Sequence, residues 1–132
     1  MAIKIHPGIY SFEESTAHHH SNRLLEKMIE LAQKENGPIY DYGCADSFYV
    51  DSLRKNGFDA WGFEGTIGIR KSCISPYTFE YDLTVEMPEM KPGLAMSVEV
   101  AEHIDWQDID SFLNNITRSC RKSLLLTWAV VG

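Results

Sequence analysis

Cysteine is scarce in this chain. Cys44, Cys73 and Cys120 are the only three, an odd number at wide spacing, and no CxxC pair occurs. That pattern argues against a disulfide framework and against zinc-type sites. Basic charge is also thin: 12 Lys and Arg stand against 19 Asp and Glu, a net charge of −7. A phosphate backbone repels such a surface, and the basic clusters are short, Arg70-Lys71 and Arg118 with Arg121-Lys122. Long polyanions are therefore poor partners. Long apolar runs are missing too. The longest, Leu124 to Val131, is far too short to cross a bilayer. The N-terminus lacks the apolar core of a signal peptide, so the expected location is the cytoplasm and no membrane partner is expected. No repeat or low-complexity tract occurs.

What is present is the composition of one ordinary globular domain. The chain has 132 residues, 44% of them hydrophobic and 23% charged, which excludes a disordered or collagen-like chain. Helical spacing of Leu24, Leu25, Met28, Ile29, Leu31 and Ala32 predicts a helix over about Asn22 to Glu35, closed by Gly37-Pro38. Ile39 to Tyr42 reads as a short buried strand. A helix should follow near Ser47, capped by Asp46 or Ser47, burying Val50 and Leu53 and stopping at Gly57. Strands are expected at Ala60 to Glu64, at Pro76 to Tyr81, at Leu94 to Val98 and, buried, at Leu124 to Trp128. Glu86 to Pro92 reads as a loop. Asp105 and Asp108 open a helix that buries Ile109, Phe112, Leu113, Ile116 and Cys120. Strands alternating with helices predict βαβ units and a mostly parallel sheet with helices on both faces.

The informative unit is Ile39 to Ser47, strand to small-residue turn to helix. Such a turn lets a ligand approach the backbone, and the helix start offers unpaired N–H groups. Glu64 ends the next strand 18 residues past Asp46. An acidic side chain there can accept ribose hydroxyls, as in Rossmann-like nucleotide sites. A nicotinamide dehydrogenase would want glycine at position 48, where Phe48 stands.

On these residues the chain resembles the S-adenosylmethionine-dependent methyltransferases of the Rossmann-like class I fold, in the group acting on small molecules and lipids. The first motif of that family appears as Asp41, Gly43, Ala45 and Ser47. The acidic residue closing the second strand is Glu64 in Gly62-Phe63-Glu64-Gly65, a later one is Asp82 in Tyr81-Asp82-Leu83, and the fourth-strand segment is Ser97-Val98-Glu99-Val100-Ala101-Glu102-His103-Ile104. The resemblance implies a three-layer α/β sandwich with strand order 3-2-1-4-5. It implies S-adenosylmethionine as cofactor. Gly43, Cys44, Ala45 and Asp46 would line its amino-acid arm, with Asp41 reaching the amine through water. Glu64 and Gly65 would meet the ribose, Asp82 and Leu83 the adenine, and Glu99 and Val100 the transferred methyl. The implied activity is methyl transfer to a small-molecule, sugar or lipid acceptor, with a non-catalytic cofactor-binding or assembly module as the alternative.

Two departures from the family pattern stand out. Only one of the motif's three glycines survives. Ala45 is tolerable if its dihedrals are ordinary, and Ser47 if the helix has already begun. The chain also stops after its fifth strand, where the family continues with antiparallel strands. This reads as a truncated core or a natural minimal one (residues 37–132), with truncation favoured by the interrupted strand end at Trp128 to Gly132, behind an N-terminal helical cover (1–36), within one domain spanning 1–132. The fifth strand then becomes an apolar edge inviting self-association through 124–128.

Plainer readings stand beside these. The turn can be an ordinary capped connection, Asp82 a loop start, and Cys44 a packing residue, since no base accompanies it. His18-His19-His20 cannot all face one ion from a helix, so no metal is expected. They read as a polar helix start near the cofactor mouth, with Tyr10, His19 or His20 as contacts. His103 is a candidate base, with packing at a helix start favoured.

Overall fold

The computed structural model describes residues 20–120 and 122–128. Helix α1 (Asn22–Lys34) starts where Ser21 Oγ accepts from the Leu24 N–H at 3.2 Å. It buries Met28 and Ala32 and lays Leu24, Leu25, Ile29 and Leu31 against the same core. Strand β1 (Ile39–Tyr42) follows, then helix α2 (Phe48–Lys55), which buries Tyr49, Val50 and Leu53. Strand β2 (Ala60–Glu64) leads into a 3₁₀ turn over Ile69–Ser72 and a short β3 (Thr78–Glu80). After β4 (Leu94–Val98) and a 3₁₀ turn at Ala101–His103 come helix α3 (Ile109–Ser119) and β5 (Ser123–Thr127).

The five strands form one sheet in the order β3-β2-β1-β4-β5, and every adjacent pair is parallel. One face packs Ile39, Ala60, Leu94 and Met96 against Met28 of α1 and Val50 and Leu53 of α2. The other packs Tyr42, Phe63 and Ala95 against Phe112 and Ile116 of α3. This is the expected three-layer Rossmann-like arrangement, with the C-terminal ends of β1, β2 and β4 aligned along one edge.

Local differences have local causes. The third strand is three residues, not six: the Tyr77 N–H donates to Ser75 Oγ and Thr78 Oγ1 donates to Ser75 O, so before Thr78 only the Tyr77 carbonyl, accepting from Gly62 N, reaches β2. Cys120 lies just past α3, at its C-cap, and packs half-buried against the same core as Ile109 and Leu113. The last strand is shifted by one residue and is not buried. Leu125 and Leu126 are half-buried and Leu124 is exposed, because β5 is an edge that pairs only with β4 among the described strands.

Candidate functional site

Asp41 lies near the C-terminal end of β1, 2% exposed, and its Oδ1 has no hydrogen-bond partner among the described residues. Burial, with the Glu64 charge added, pushes its carboxyl up to about 8. Leaving a buried polar oxygen unmatched costs about 1–3 kcal/mol, so it calls for a cause such as an ion, a water or a role in chemistry; Tyr42 Oη in the α3-side core is unmatched too among the described residues.

The turn after β1 is left-handed at three alternate positions: Gly43 at φ +91°, Ala45 at +48° and Ser47 at +66°. These are the three places where the resembled motif carries glycine. The expectation for the two substitutions is therefore corrected. The dihedrals of Ala45 are not ordinary, and the helix has not begun at Ser47; α2 starts at Phe48 with Ser47 as its N-cap residue. The chain keeps the glycine backbone path with side chains on it, at roughly 1–2 kcal/mol for each non-glycine residue. The capping oxygen comes from Asp46, whose Oδ1 accepts from the Phe48 N–H at 3.1 Å. Gly43 has no room for a side chain. A Cβ there would sit 2.3 Å from Val100 Cγ2, so the space beside Gly43 is filled by Val100 from beyond β4.

Glu64 ends β2, 6% exposed, and reaches back to the turn. Its Oε1 accepts from the Ala45 N–H at 3.0 Å, and Oε2 accepts from Thr66 N at 2.9 Å and Thr66 Oγ1 at 2.7 Å. Oε2 is thus saturated, and one acceptor direction remains on Oε1. Gly65 is buried behind it. Cys44 packs its sulfur over Gly62, where an added Cβ would lie 2.5 Å away, and burial raises its thiol well above the ordinary value. It is a packing residue in this arrangement.

The other positions meet the same edge with different surroundings. Asp82 Oδ1 accepts from Thr84 N at 2.9 Å and Thr84 Oγ1 at 2.7 Å, while the Leu83 side chain is buried in the α3-side core. Glu99 is left-handed (φ +55°) just after β4; its N–H donates to Thr127 O at 2.9 Å and its Oε1 accepts from Thr127 Oγ1 at 3.2 Å. His103 Nε2 lies 3.6 Å from Glu102 Oε1. The N-terminal side enters through His20, which stacks on Phe48 at 3.9 Å and lies 3.1 Å from both Asp46 carboxyl oxygens. Ser21 N donates to Tyr49 Oη at 2.9 Å. Tyr10, His18, His19 and the rest of residues 1–19 lie outside the described residues, as does the end of the chain past Trp128.

A parallel sheet of this order, an acidic strand end after β1, a left-handed turn and a second acidic residue closing β2 are now in place. No protein-family model matches the sequence, and no curated protein matches it either. Solved structures do match. The fold is that of the S-adenosylmethionine-dependent methyltransferases. A methyltransferase assigned to an antibiotic biosynthesis pathway of Anabaena variabilis superposes with a TM-score of 0.64 at 19% identity, over 79% of this chain and 44% of that one. A TehB-like SAM-dependent methyltransferase from Corynebacterium glutamicum gives 0.63 at 20%, over 73% and 55%. The glycopeptide N-methyltransferase MtfA, complexed with S-adenosylhomocysteine, gives 0.66 at 9%, over 83% and 52%. The chain thus spans about half the length of these methyltransferase-fold proteins.

Sequence reasoning brought Asp41, the Gly43–Ser47 turn and Glu64 to one edge, and they lie there. It missed Thr66, which saturates Glu64 Oε2, and the segment Cys73–Ser75. The Glu-x-Thr spacing was the available signal for Thr66; the segment left none.

Proposed function

We propose that this chain binds S-adenosylmethionine along the C-terminal edge of its sheet and serves methyl transfer to a small-molecule, sugar or lipid acceptor. The observation that carries this is the Asp41 carboxyl, buried and short of a partner beside a turn held in a glycine-type path. A cationic amine is the group that such a carboxyl lacks, and the amino-acid arm of this cofactor ends in one. Asp41 would take that amine, directly or through water. The turn backbone from Gly43 through Cys44 and Ala45 to Asp46 would flank the same arm. Glu64 has one free acceptor direction on Oε1 for a ribose hydroxyl, with Gly65 beside it. Asp82 and Leu83 would frame the adenine, and Glu99 and Val100 the methyl.

When bound, the cofactor supplies a methyl group already activated on a sulfonium. The protein's work is then to hold the acceptor in line and keep water out, which can be worth roughly 7–11 kcal/mol. A base is needed only for an acceptor that must lose a proton, and His103, in the 3₁₀ turn after β4, is the candidate. The net charge of −7 favours an acceptor other than nucleic acid. No helix among the described residues is long and apolar enough to cross a membrane.

A second reading has its own observation. β5 leaves an apolar edge of Leu124, Leu125 and Leu126, which suits a cofactor-binding or assembly module that acts only with another chain. Calorimetry with S-adenosylmethionine and S-adenosylhomocysteine, beside a methyl-transfer assay on small-molecule pools, separates the two. Binding with turnover supports the enzyme. Binding without turnover supports the module. No binding removes both.

A further inference from the structure

The strained turn needs something to hold it, and the β2–β3 connection supplies it residue by residue. Cys73 Sγ lies 3.6 Å from Ala45 O as donor. The Ile74 N–H donates to Asp46 O at 2.9 Å. The Ser75 N–H donates to Ser47 Oγ at 2.8 Å. Three successive residues of the connection thus grip three successive residues of the turn, and two of those three carry the left-handed strain. The Ser47 hydroxyl makes no capping bond to its own helix; Asp46 caps it instead. Ser47 and Ser75 are both buried, so water cannot replace this rung cheaply.

We infer that Ser47 is a positioning residue: through its bond to Ser75 N it clamps the glycine-poor turn in the shape that receives the amino-acid arm of the ligand. This rests on the proposed cofactor reading. Where the family motif obtains the turn shape from a glycine, this chain obtains it from a side chain at the same position and a partner 28 residues away. Without the rung, the strain at Ala45 and Ser47 favours a relaxed turn. Only the fraction of molecules holding the bound shape then binds tightly. The adenosine half of the ligand, which would meet Glu64 and Asp82-Leu83, should not notice.

The test uses the 132-residue chain, its S47A and S47G variants, and two ligands. S-adenosylhomocysteine carries the amino-acid arm and adenosine does not. S47A keeps the strain and loses the rung. It should bind S-adenosylhomocysteine about fivefold more weakly, the equivalent of one hydrogen bond, with adenosine unchanged. S47G loses the rung and relieves the strain, so it should fall between wild type and S47A. Hydrogen exchange at the Ser75 amide should quicken in both variants. Equal loss for the two ligands, or S-adenosylhomocysteine affinity as in wild type, overturns the inference. If S47A does not fold, S47G decides by the same two readouts. If wild type binds neither ligand, the cofactor reading fails, and unchanged Ser75 exchange in S47G would separately refute the clamp.

Discussion

Asp41 gives the sharpest test of the site, because its state should change when a ligand arrives. In the free protein its carboxyl is pushed up to about 8, first by burial and second by Glu64. The groups facing it include Glu64, Cys44 and Tyr49, and none of these is a cation. At pH 6.5 a carboxyl of that kind is about 97% protonated. A cation brought beside it lowers its pKa by about 1–3 units. Binding should then release about 0.2 to 0.9 proton at pH 6.5. The same pH keeps the ligand's α-amine charged, since such amines titrate near 7.7–8.0. The assay is calorimetry with S-adenosylhomocysteine in buffers of different ionisation enthalpy, where the slope of observed enthalpy counts protons. Affinity should also rise with pH from 5.5 to 7, because fewer protons need to leave. Adenosine, without the amine, should release none, and Asp41→Asn should abolish the release seen with S-adenosylhomocysteine. Tight binding with no buffer dependence would show that Asp41 does not meet the amine.

The same carboxyl makes a stability prediction. Its folded pKa is raised, so its contribution is most favourable below about pH 4 and is lost as pH rises toward 8. At pH 7 the loss is up to about 4 kcal/mol. Asp41→Asn should therefore raise the thermal midpoint of the free chain by several degrees at pH 7 and less at pH 4, read by circular dichroism, while weakening the ligand. Glu64→Ala removes an acceptor from Ala45 N and Thr66, so it should cost about 1–3 kcal/mol in cofactor binding by calorimetry; unchanged affinity would remove Glu64 from the ribose. Gly43→Val forces a side chain onto Val100 in a left-handed position and should abolish binding, with a lowered thermal midpoint; retained affinity would place the ligand elsewhere. The β5 edge should pair with a second copy at high concentration, and Leu124→Lys should suppress this in light scattering. A monomeric wild type at the highest concentration would refute the edge contact.

Much of the architecture was legible because it rests on local patterns. The stripe from Leu24 to Ala32 and that from Ile109 to Ile116 can only be helices with one buried face, and both are. The strand order followed from a resemblance carried by Asp41, Glu64 and the segment after β4, and the sheet has that order. The burial of β5 was misjudged for a physical reason. An apolar run such as Leu124-Leu125-Leu126 says that a strand wants cover, not that cover is supplied by this chain. The third strand was overdrawn because the Tyr77 N–H is taken by Ser75 Oγ and the Ser75 carbonyl by Thr78 Oγ1, so neither is left to pair with β2.

The turn shows best why local reading runs out. Ala45 and Ser47 in place of glycine argue, one residue at a time, for a path with ordinary dihedrals. The left-handed path persists because its stabilisation comes from elsewhere in the chain: Glu64 on the Ala45 N–H, Ile74 on the Asp46 carbonyl, Ser75 on the Ser47 hydroxyl. These partners lie 19 and 28 residues away. Three hydrogen bonds at about 1 kcal/mol each match two left-handed residues at roughly 1–2 kcal/mol each. The strain is therefore sustained largely by tertiary structure, beside the Ser47 N–H to Cys44 O bond within the turn. A turn so balanced is close to indifferent between shapes. A ligand that contacts it can shift the balance with little cost, and the removal of any one partner should be felt first in ligand affinity and only second in the stability of the fold.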